Sequence, residues 1–249
     1  MLGIPLAVSD YERVMDWMEK MIADGSRGYL TAAAVNLVMS AYEDAHARAA
    51  VLGATLAVPD GQPIVWALRA LGHASATRIY GPDLMAGFCA RAARQGIPMF
   101  LYGGRSTEAL TRLEERLHGR FPGLAIAGGH SPPFRDLTDA EEEHVAAEIN
   151  SSGAAVVWVG IGQPKQELWM ARMRARLTPP LLVGVGAAFD FHSGLVAQAP
   201  PWMQRAGLEW AFRLSREPRR LWRRYARYNP MFIGAFARQY VRHRRKPRR

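Results

Sequence analysis

The chain has 249 residues, of which 49% are hydrophobic, so it can bury a large core and is too apolar for wholesale disorder. Its single cysteine, Cys89, excludes an internal disulfide framework, and no stretch approaches the roughly 18 consecutive apolar residues of a membrane-spanning helix. The net charge is +10, and the chain does not begin like a signal peptide. We therefore expect a cytoplasmic protein that is soluble or attached to a membrane from its side.

Short apolar or β-branched runs alternate with longer stretches of helical periodicity, which is typical of a parallel sheet flanked by helices. The expected fold class is α/β, with a Rossmann-like, mostly parallel sheet. Ligands of such sheets bind at the carboxyl ends of the strands, so the loops after the strands are candidate sites. The predicted strands cover residues 29–35, 54–58, 97–102, 125–128, 154–161 and 181–185. The predicted helices cover about 10–24, 36–49, 61–71, 82–95, 106–118, 138–151 and 164–177.

The first candidate loop holds Asp60, which directly follows a predicted strand and precedes Gly61. A carboxylate at this place can accept a proton from a hydroxyl nucleophile. An aspartate in front of a helix also commonly caps that helix, and the loop taken alone favours the cap. Both interpretations of Asp60 therefore stay open at this point.

Two glycine-containing loops follow later strands. Gly103 and Gly104 precede a predicted helix, where unblocked backbone amides favour a phosphate, although a simple tight turn has the same sequence. Neither Gly103-Gly104 nor Gly160-Ile-Gly162, in the loop after the fifth strand, completes a G-x-G-x-x-G pattern. This counts against a nicotinamide-dependent oxidoreductase. The loop after the fifth strand offers hydrogen bonds and positive charge to a sugar diphosphate, from Lys165, Gln166 and Glu167.

The loop after the last predicted strand contains Asp190 and His192. We expect His192 to make a structural hydrogen bond rather than to act as a catalyst. The sequence contains no C-x-x-C, H-E-x-x-H or Asp-x-Asp spacing, so no bound metal is predicted. If the ligand is a nucleotide-sugar, its leaving diphosphate has to be stabilised by arginines, backbone amides or helix dipoles, and arginine is plentiful.

The positive charge is confined to the end of the chain. Residues 1–204 hold 17 Lys and Arg against 20 Asp and Glu, a net charge of −3. Residues 205–249 hold 15 against 2, a net charge of +13. A split this sharp indicates a near-neutral body with a basic C-terminal segment that can bind an anionic surface.

Two or three short helices are predicted between residues 201 and 228, ahead of a terminal basic run at 242–249. We therefore expect an α/β domain at 1–200 and a basic, aromatic-rich helical appendage at 201–249. Its aromatic residues either seat at the headgroup level of a membrane or pack the appendage onto the body; they include Trp222, Tyr225, Phe232 and Phe236.

Several sequence blocks occur in order along the chain, including Pro59-Asp60-Gly61, Arg78-Ile-Tyr-Gly81, Gly162-Gln-Pro-Lys-Gln166-Glu167 and Gly207-Leu-Glu209-Trp210. In these blocks the chain resembles the WecG/TagA/CpsF glycosyltransferases (glycosyltransferase family 26), from about residue 3 to residue 232. The resemblance implies a metal-independent, inverting transfer from a UDP-sugar to a polyprenyl-diphosphate-linked saccharide. It also implies a peripheral location on the inner face of the bacterial cytoplasmic membrane.

The resemblance assigns roles to particular residues. The family's proposed base corresponds to Asp60, which reverses the preference for a helix cap. Arg213, Arg220 and Arg223 correspond to basic positions on an appendage that covers the site and holds the diphosphate. Asn36, Arg78 and Gln166 correspond to family pocket positions that bind or orient substrate. Together with the loops described above, the resemblance gives these expected substrate-binding residues: Asn36, Arg78, Gly103, Gly104, Lys165, Gln166, Glu167, Asp190, Arg213, Arg220 and Arg223.

The expected partners are a UDP-sugar donor, a lipid-linked acceptor and an anionic membrane surface, with no cofactor and no nucleic acid. At Gln62-Pro63 and Trp66 the chain resembles the exopolysaccharide glucosyltransferases of the family more than its N-acetylmannosaminyl branch. A nucleic-acid-binding protein is the alternative, because of the basic tail with interleaved aromatic residues. The absence of a reading-helix motif from the sequence counts against that alternative.

Overall fold

The computed structural model describes residues 1–245 and contains six strands in one sheet. The strands are β1 (Gly28–Ala33), β2 (Leu56–Pro59), β3 (Met99–Gly103), β4 (Ile126–His130), β5 (Val156–Gly160) and β6 (Leu181–Gly184). Every pairing is parallel, and the strand order is β2-β1-β6-β5-β3-β4. The predicted α/β, Rossmann-like class is confirmed, and each strand begins and ends within two residues of its predicted limits.

Strands β3, β5 and β6 are nearly continuous, buried apolar runs because helices cover both faces of the sheet there. Along β3, Met99 and Leu101 pack into the core on one face, and Phe100 and Tyr102 pack into the core on the other. Side chains alternate along a strand, so both layers need apolar partners. Trp158 of β5 is fully buried in the first layer. The two packed layers hold the carboxyl ends of the strands together along one rim.

The helices of the body differ from the prediction at two places. The predicted helix 36–49 is two helices, because the Asp44 side chain accepts a hydrogen bond from the Ala47 amide and begins a new helix. A five-residue helix after β6 was not predicted. These helices are α1 (Tyr11–Ala23), α2 (Val35–Glu43), α3 (Ala45–Leu52), α4 (Gln62–Ala70), α5 (Gly81–Gln95), α6 (Thr107–Arg120), α7 (Asp139–Ser151), α8 (Lys165–Met173) and α9 (Ala188–His192).

The carboxyl ends of β3 and β5 approach each other too closely for a side chain. Gly103 has a φ of +142°, and a Cβ atom there would lie 2.7 Å from the backbone carbonyl of Gly160. The amide of the next residue, Gly104, lies 3.4 Å from the Gly160 oxygen. Glycine at 103 therefore allows the two loops to lie side by side at the rim of the sheet.

The C-terminal segment, residues 201–245, comprises α10 (Pro201–Arg205), α11 (Glu209–Arg216) and α12 (Pro218–Arg245). The expectation of only short helices here is wrong, because α12 continues through Pro230 for 28 residues. A proline inside a helix costs about 3 kcal/mol. Burial of Phe232 and Ala235 in a hydrophobic cluster with residues of α2 offsets much of that cost, since one buried Phe contributes about 1.5–3 kcal/mol.

Polar contacts also attach the C-terminal segment to the body. Arg227 pairs with Glu43 of α2 at 2.9 Å, and the Leu2 amide donates to Gln239 Oε1 at 2.9 Å. The buried Phe232 also packs the segment onto the body, which is the second of the two roles expected for the aromatic residues.

Of the predicted appendage and its terminal basic run, residues 246–249 lie outside the described residues. Over residues 1–245, no helix is both long enough and apolar enough to cross a membrane.

Candidate active site

A cavity of about 490 Å³ lies at the rim of the sheet, between the loops that follow its six strands and the C-terminal segment. This is the edge at which parallel α/β sheets bind their ligands. Its wall is more positive than negative, which suits an anion. Of the described residues that line it, eight are basic (Arg78, Arg105, Arg135, Lys165, Arg172, Arg213, Arg220 and Arg224) and four are acidic (Asp60, Asp136, Asp190 and Glu209).

Asp60 stands at the end of β2 with its side chain on the cavity wall. Its amide donates to the Ala33 carbonyl at 3.0 Å, and Gly61, with a φ of +97°, turns the chain into α4. No side chain caps α4, so the helix-cap interpretation of Asp60 is wrong. The Asp60 side chain is only 18% exposed. This burial raises the pKa of the carboxyl group to about 7; Arg78 opposes the rise and Glu209 adds to it.

Arg78 lies between two carboxylates. Its Nε is 3.5 Å from Oδ1 of Asp60, and its Nη2 is 2.5 Å from Oε2 of Glu209. The Tyr80 hydroxyl donates to Oε1 of Glu209 at 3.0 Å, and the Arg78 guanidinium stacks on the Tyr80 ring at 3.9 Å from its centre. Nη1 of Arg78 lies 3.4 Å from Oε1 of Gln204. These contacts hold the guanidinium in one orientation beside Asp60.

A second group of ion pairs joins the loop after β3 to the C-terminal segment. Arg105 makes a two-pronged pair with Asp190, with nitrogen–oxygen distances of 2.9 and 2.8 Å. The Nη2 of Arg105 also lies 2.9 Å from Glu217, which accepts a hydrogen bond from Arg220. Three of these four residues line the cavity, so charges that attach the segment to the body also face the cavity.

Gln166 and Glu167, in the first turn of α8, form a buried network behind the cavity wall. Oε1 of Glu167 accepts from the Thr31 hydroxyl at 2.6 Å and from the Gln166 amide at 2.9 Å. Oε1 of Gln166 accepts from the Gly186 amide at 3.0 Å. Burial raises the pKa of Glu167 to about 7, against the effect of its two donors. The network connects β1, α8 and the loop after β6.

The structure brings most of the predicted site residues to this one cavity. Gly103 lies instead at the tight contact with β5, and Gln166 and Glu167 lie in the buried network. Arg223 is exposed on α12, with its guanidinium carbon 5.4 Å from the Trp222 ring centre. The predicted residues that line the cavity are Asn36, Asp60, Arg78, Gly104, Lys165, Asp190, Arg213 and Arg220.

His192 makes a structural contact, as the sequence predicted. Its Nε2 lies 2.9 Å from the Pro82 carbonyl oxygen, and burial lowers its pKa, which favours the neutral ring. Within residues 1–245, no group of three or more His, Cys, Asp or Glu side chains is arranged to hold a metal ion.

The charged and polar side chains of the site that the sequence analysis missed include Tyr80, Arg105 and Glu209. Arg105 directly follows Gly103-Gly104, and a cation next to a phosphate-type glycine loop was a usable signal. Tyr80 and Glu209 belong to the sequence blocks that carry the resemblance, but they are 129 residues apart. Periodicity does not predict that two such distant elements meet.

The fold and the cavity define a class of protein: a parallel α/β protein with a basic site at the carboxyl ends of its strands, closed on one side by a helical C-terminal segment. A family model for the glycosyl transferase WecG/TagA/CpsF family matches residues 1–246. The match spans almost the whole chain, so the chain belongs to that family. Membership indicates a glycosyltransferase of cell-surface polysaccharide synthesis that uses a sugar donor and a lipid-linked acceptor.

Proposed function

We propose that this chain transfers a sugar from a UDP-sugar to a hydroxyl of a polyprenyl-diphosphate-linked saccharide, with inversion and without a metal ion. The observation that carries the proposal is the carboxyl group of Asp60, which lies on the wall of a basic cavity and has a pKa of about 7. A general base is most effective when its pKa lies near the working pH. Asp60 is therefore suited to the single proton transfer that an inverting displacement needs.

In the proposed reaction, the acceptor hydroxyl attacks the anomeric carbon of the donor sugar while Asp60 takes the hydroxyl proton. The new glycosidic bond forms as the bond between the anomeric carbon and the diphosphate oxygen breaks. UDP leaves with that electron pair, and a single displacement inverts the anomeric configuration. Asp60 then returns its proton to solvent before the next turnover.

The leaving diphosphate gains negative charge, and the cavity supplies fixed positive charge to receive it. Lys165 lies at the beginning of α8, and Arg213 and Arg220 come from the two helices opposite. Arginine binds phosphate oxygens through two parallel hydrogen bonds. Groups held in place before the reaction stabilise the developing charge without reorganisation. This set of cations supports the metal-independent part of the proposal.

Donor binding tests the proposal directly. In calorimetric titrations with a panel of UDP-sugars and with EDTA present, we expect one donor to be preferred, UDP-glucose or UDP-N-acetylmannosamine. Arg220→Ala should weaken that binding about tenfold or more, the cost of one charge-assisted hydrogen bond. Arg219→Ala is the matched control, since its exposed side chain lies off the cavity. Binding that required a divalent ion, or equal loss in both variants, would contradict the proposal.

We also propose that the enzyme meets its acceptor at the inner face of the cytoplasmic membrane, with α12 against the lipid. Trp222 is 52% exposed on this helix, which suits the headgroup level. Each Lys or Arg near an anionic leaflet contributes about 1 kcal/mol. The exposed arginines of α12 include Arg219, Arg223, Arg238, Arg242, Arg244 and Arg245.

Co-sedimentation with vesicles tests the membrane proposal. We expect binding to phosphatidylglycerol vesicles, little binding to phosphatidylcholine vesicles, and a clear loss when Arg238, Arg242 and Arg244 are all changed to Gln. Charge substitution is preferable to truncation here, because a truncation before Phe232 would expose the apolar face of α2. Binding to DNA with no preference for anionic vesicles would support the nucleic-acid alternative instead.

A further inference from the structure

Glu209 is an acidic side chain in a cavity that is suited to an anionic donor. It lies on the cavity wall near the beginning of α11, and its side chain is 15% exposed. Both of its oxygens are used: Arg78 contacts Oε2 at 2.5 Å and the Tyr80 hydroxyl donates to Oε1 at 3.0 Å. A carboxylate here repels the phosphates of a donor, so we expect Glu209 to have a role other than donor binding.

The contacts of Arg78 show what Glu209 does. The short contact of the guanidinium goes to Glu209, whereas Asp60 is reached only by Nε at 3.5 Å. That Nε is buried and has no hydrogen-bond partner among the described residues. Arg78 therefore gives Asp60 a nearby positive charge but not the two-pronged hydrogen bonding that an arginine normally gives a carboxylate.

We propose that Glu209 is a positioning residue for the base: by holding Arg78, it prevents the guanidinium from closing onto Asp60 and leaves that carboxylate free to accept the acceptor's proton. The proposal rests on the proposed function of Asp60. Because Glu209 belongs to the C-terminal segment, the base is available only while α11 is seated on the rim. When α11 is displaced, Arg78 closes onto Asp60 and the carboxylate becomes a weaker base.

The charges around Asp60 make the direction of the effect clear. Loss of the Glu209 charge removes a repulsion, and closure of Arg78 adds an attraction, so both changes favour ionised Asp60 and lower its pKa. The tyrosines facing the site remain neutral, because burial raises their pKa values well above the ordinary value. The titratable and charged groups concerned are Tyr11 of α1, Arg78 and Tyr80, Asp83 of α5, and Glu209 and Arg213 of α11.

The test is a carbon-13 NMR titration of the Asp60 carboxyl carbon in the full-length protein without substrate, with the signal assigned from Asp60→Asn. We expect the midpoint to fall by about one pH unit or more in Glu209→Gln, the usual effect of an opposite charge at close range. This variant removes the charge but keeps an oxygen for the Tyr80 hydroxyl, so the fold is retained. Glu43→Gln is the matched control, because it breaks another ion pair between the segment and the body, with Arg227, away from the cavity wall.

A midpoint in Glu209→Gln that equals the wild-type value, or lies above it, would overturn the proposal. A midpoint that fell equally in Glu43→Gln would overturn it too, because loss of any ion pair to the segment would then suffice. A second measurement separates positioning from general damage: Glu209→Gln should lower kcat a few-fold at pH 8 without weakening UDP binding. Weaker UDP binding with unchanged kcat would contradict positioning. The NMR titration requires no turnover, so it can fail or succeed independently of the transferase assignment.

Discussion

Asp60 and Glu167 are two carboxylic acids with the same displaced pKa and different surroundings. Burial raises the pKa of each to about 7. Asp60 stands on the wall of the 490 Å³ cavity, beside an arginine at 3.5 Å. Glu167 is fully buried behind that wall, where one of its oxygens accepts from the hydroxyl of Thr31 and the amide of Gln166.

The difference shows that a raised pKa alone does not identify a base. A base must lie within hydrogen-bonding reach of the proton that it removes, and only Asp60 lies on the cavity wall. Glu167 instead joins β1 to α8, and through Gln166 to the loop after β6. A buried polar network of this kind holds its elements in one arrangement. Position relative to the cavity therefore decides which role each carboxyl group has.

The largest effect expected of the unsubstituted enzyme concerns pH. Below pH 7, Asp60 becomes protonated because burial has raised its pKa, and a protonated carboxyl group cannot accept the acceptor's proton. We expect the transfer rate to approach a tenfold fall per pH unit well below pH 7, and to fall roughly fiftyfold between pH 7 and pH 5. Initial rates with saturating donor from pH 5 to 9 measure this. Glu167→Gln removes a second carboxyl group whose pKa burial raises to about 7 and should leave the fall unchanged; a variant that lost the pH dependence would assign it to Glu167.

A smaller effect concerns stability. Glu167→Ala leaves the Thr31 hydroxyl and the Gln166 amide without their acceptor and creates a void. We expect the free energy of unfolding at pH 5 to fall by about 2–4 kcal/mol. Glu167→Gln keeps an oxygen for both donors and should cost less than about 1 kcal/mol. Urea denaturation measures both values, and equal losses in the two variants would show that the hydrogen bonds contribute little.

The smallest effect is the pH dependence of that stability. The pKa of Glu167 is higher in the folded protein than in the unfolded chain, so the folded protein holds this proton more tightly. Its contribution to stability is present below pH 4.5 and is lost as the pH rises to about 7. The free energy of unfolding of Glu167→Gln should therefore rise by about 2–3 kcal/mol relative to that of the wild type as the pH increases from 4.5 to 8. Urea denaturation at several pH values measures the difference; a constant difference would show that Glu167 has no raised pKa.

The sequence predicts the sheet well because the strand pattern is local and strands such as β3, β5 and β6 are apolar on both faces. It also predicts that Asp60 lies at the rim, since a residue that ends a parallel strand has to lie there. Long-range contacts are different. Arg78 and Glu209 are 131 residues apart, and their pairing depends on how α11 packs against the body. The continuation of α12 through Pro230 likewise depends on burial of Phe232 against α2.

The first turn of α8 shows a second limit of the sequence. Lys165, Gln166 and Glu167 all have side chains suited to a sugar diphosphate. Successive residues of a helix point about 100° apart, so all three cannot face one ligand. Lys165 faces the cavity, whereas the other two are buried behind it. The rotation of the helix is fixed by contacts with Thr31 and Gly186, which the local sequence does not specify.

Transfer by Asp60→Asn, measured beside Glu167→Gln at pH 8, tests the assignment of the base most directly. Calorimetric binding of UDP to both variants serves as the control for an intact cavity. We expect Asp60→Asn to lose about 10²–10⁴-fold in kcat with UDP binding retained, and Glu167→Gln to stay within about tenfold of wild type because its group does not reach the acceptor. Full transfer by Asp60→Asn, or an equal loss in both variants, would contradict the account.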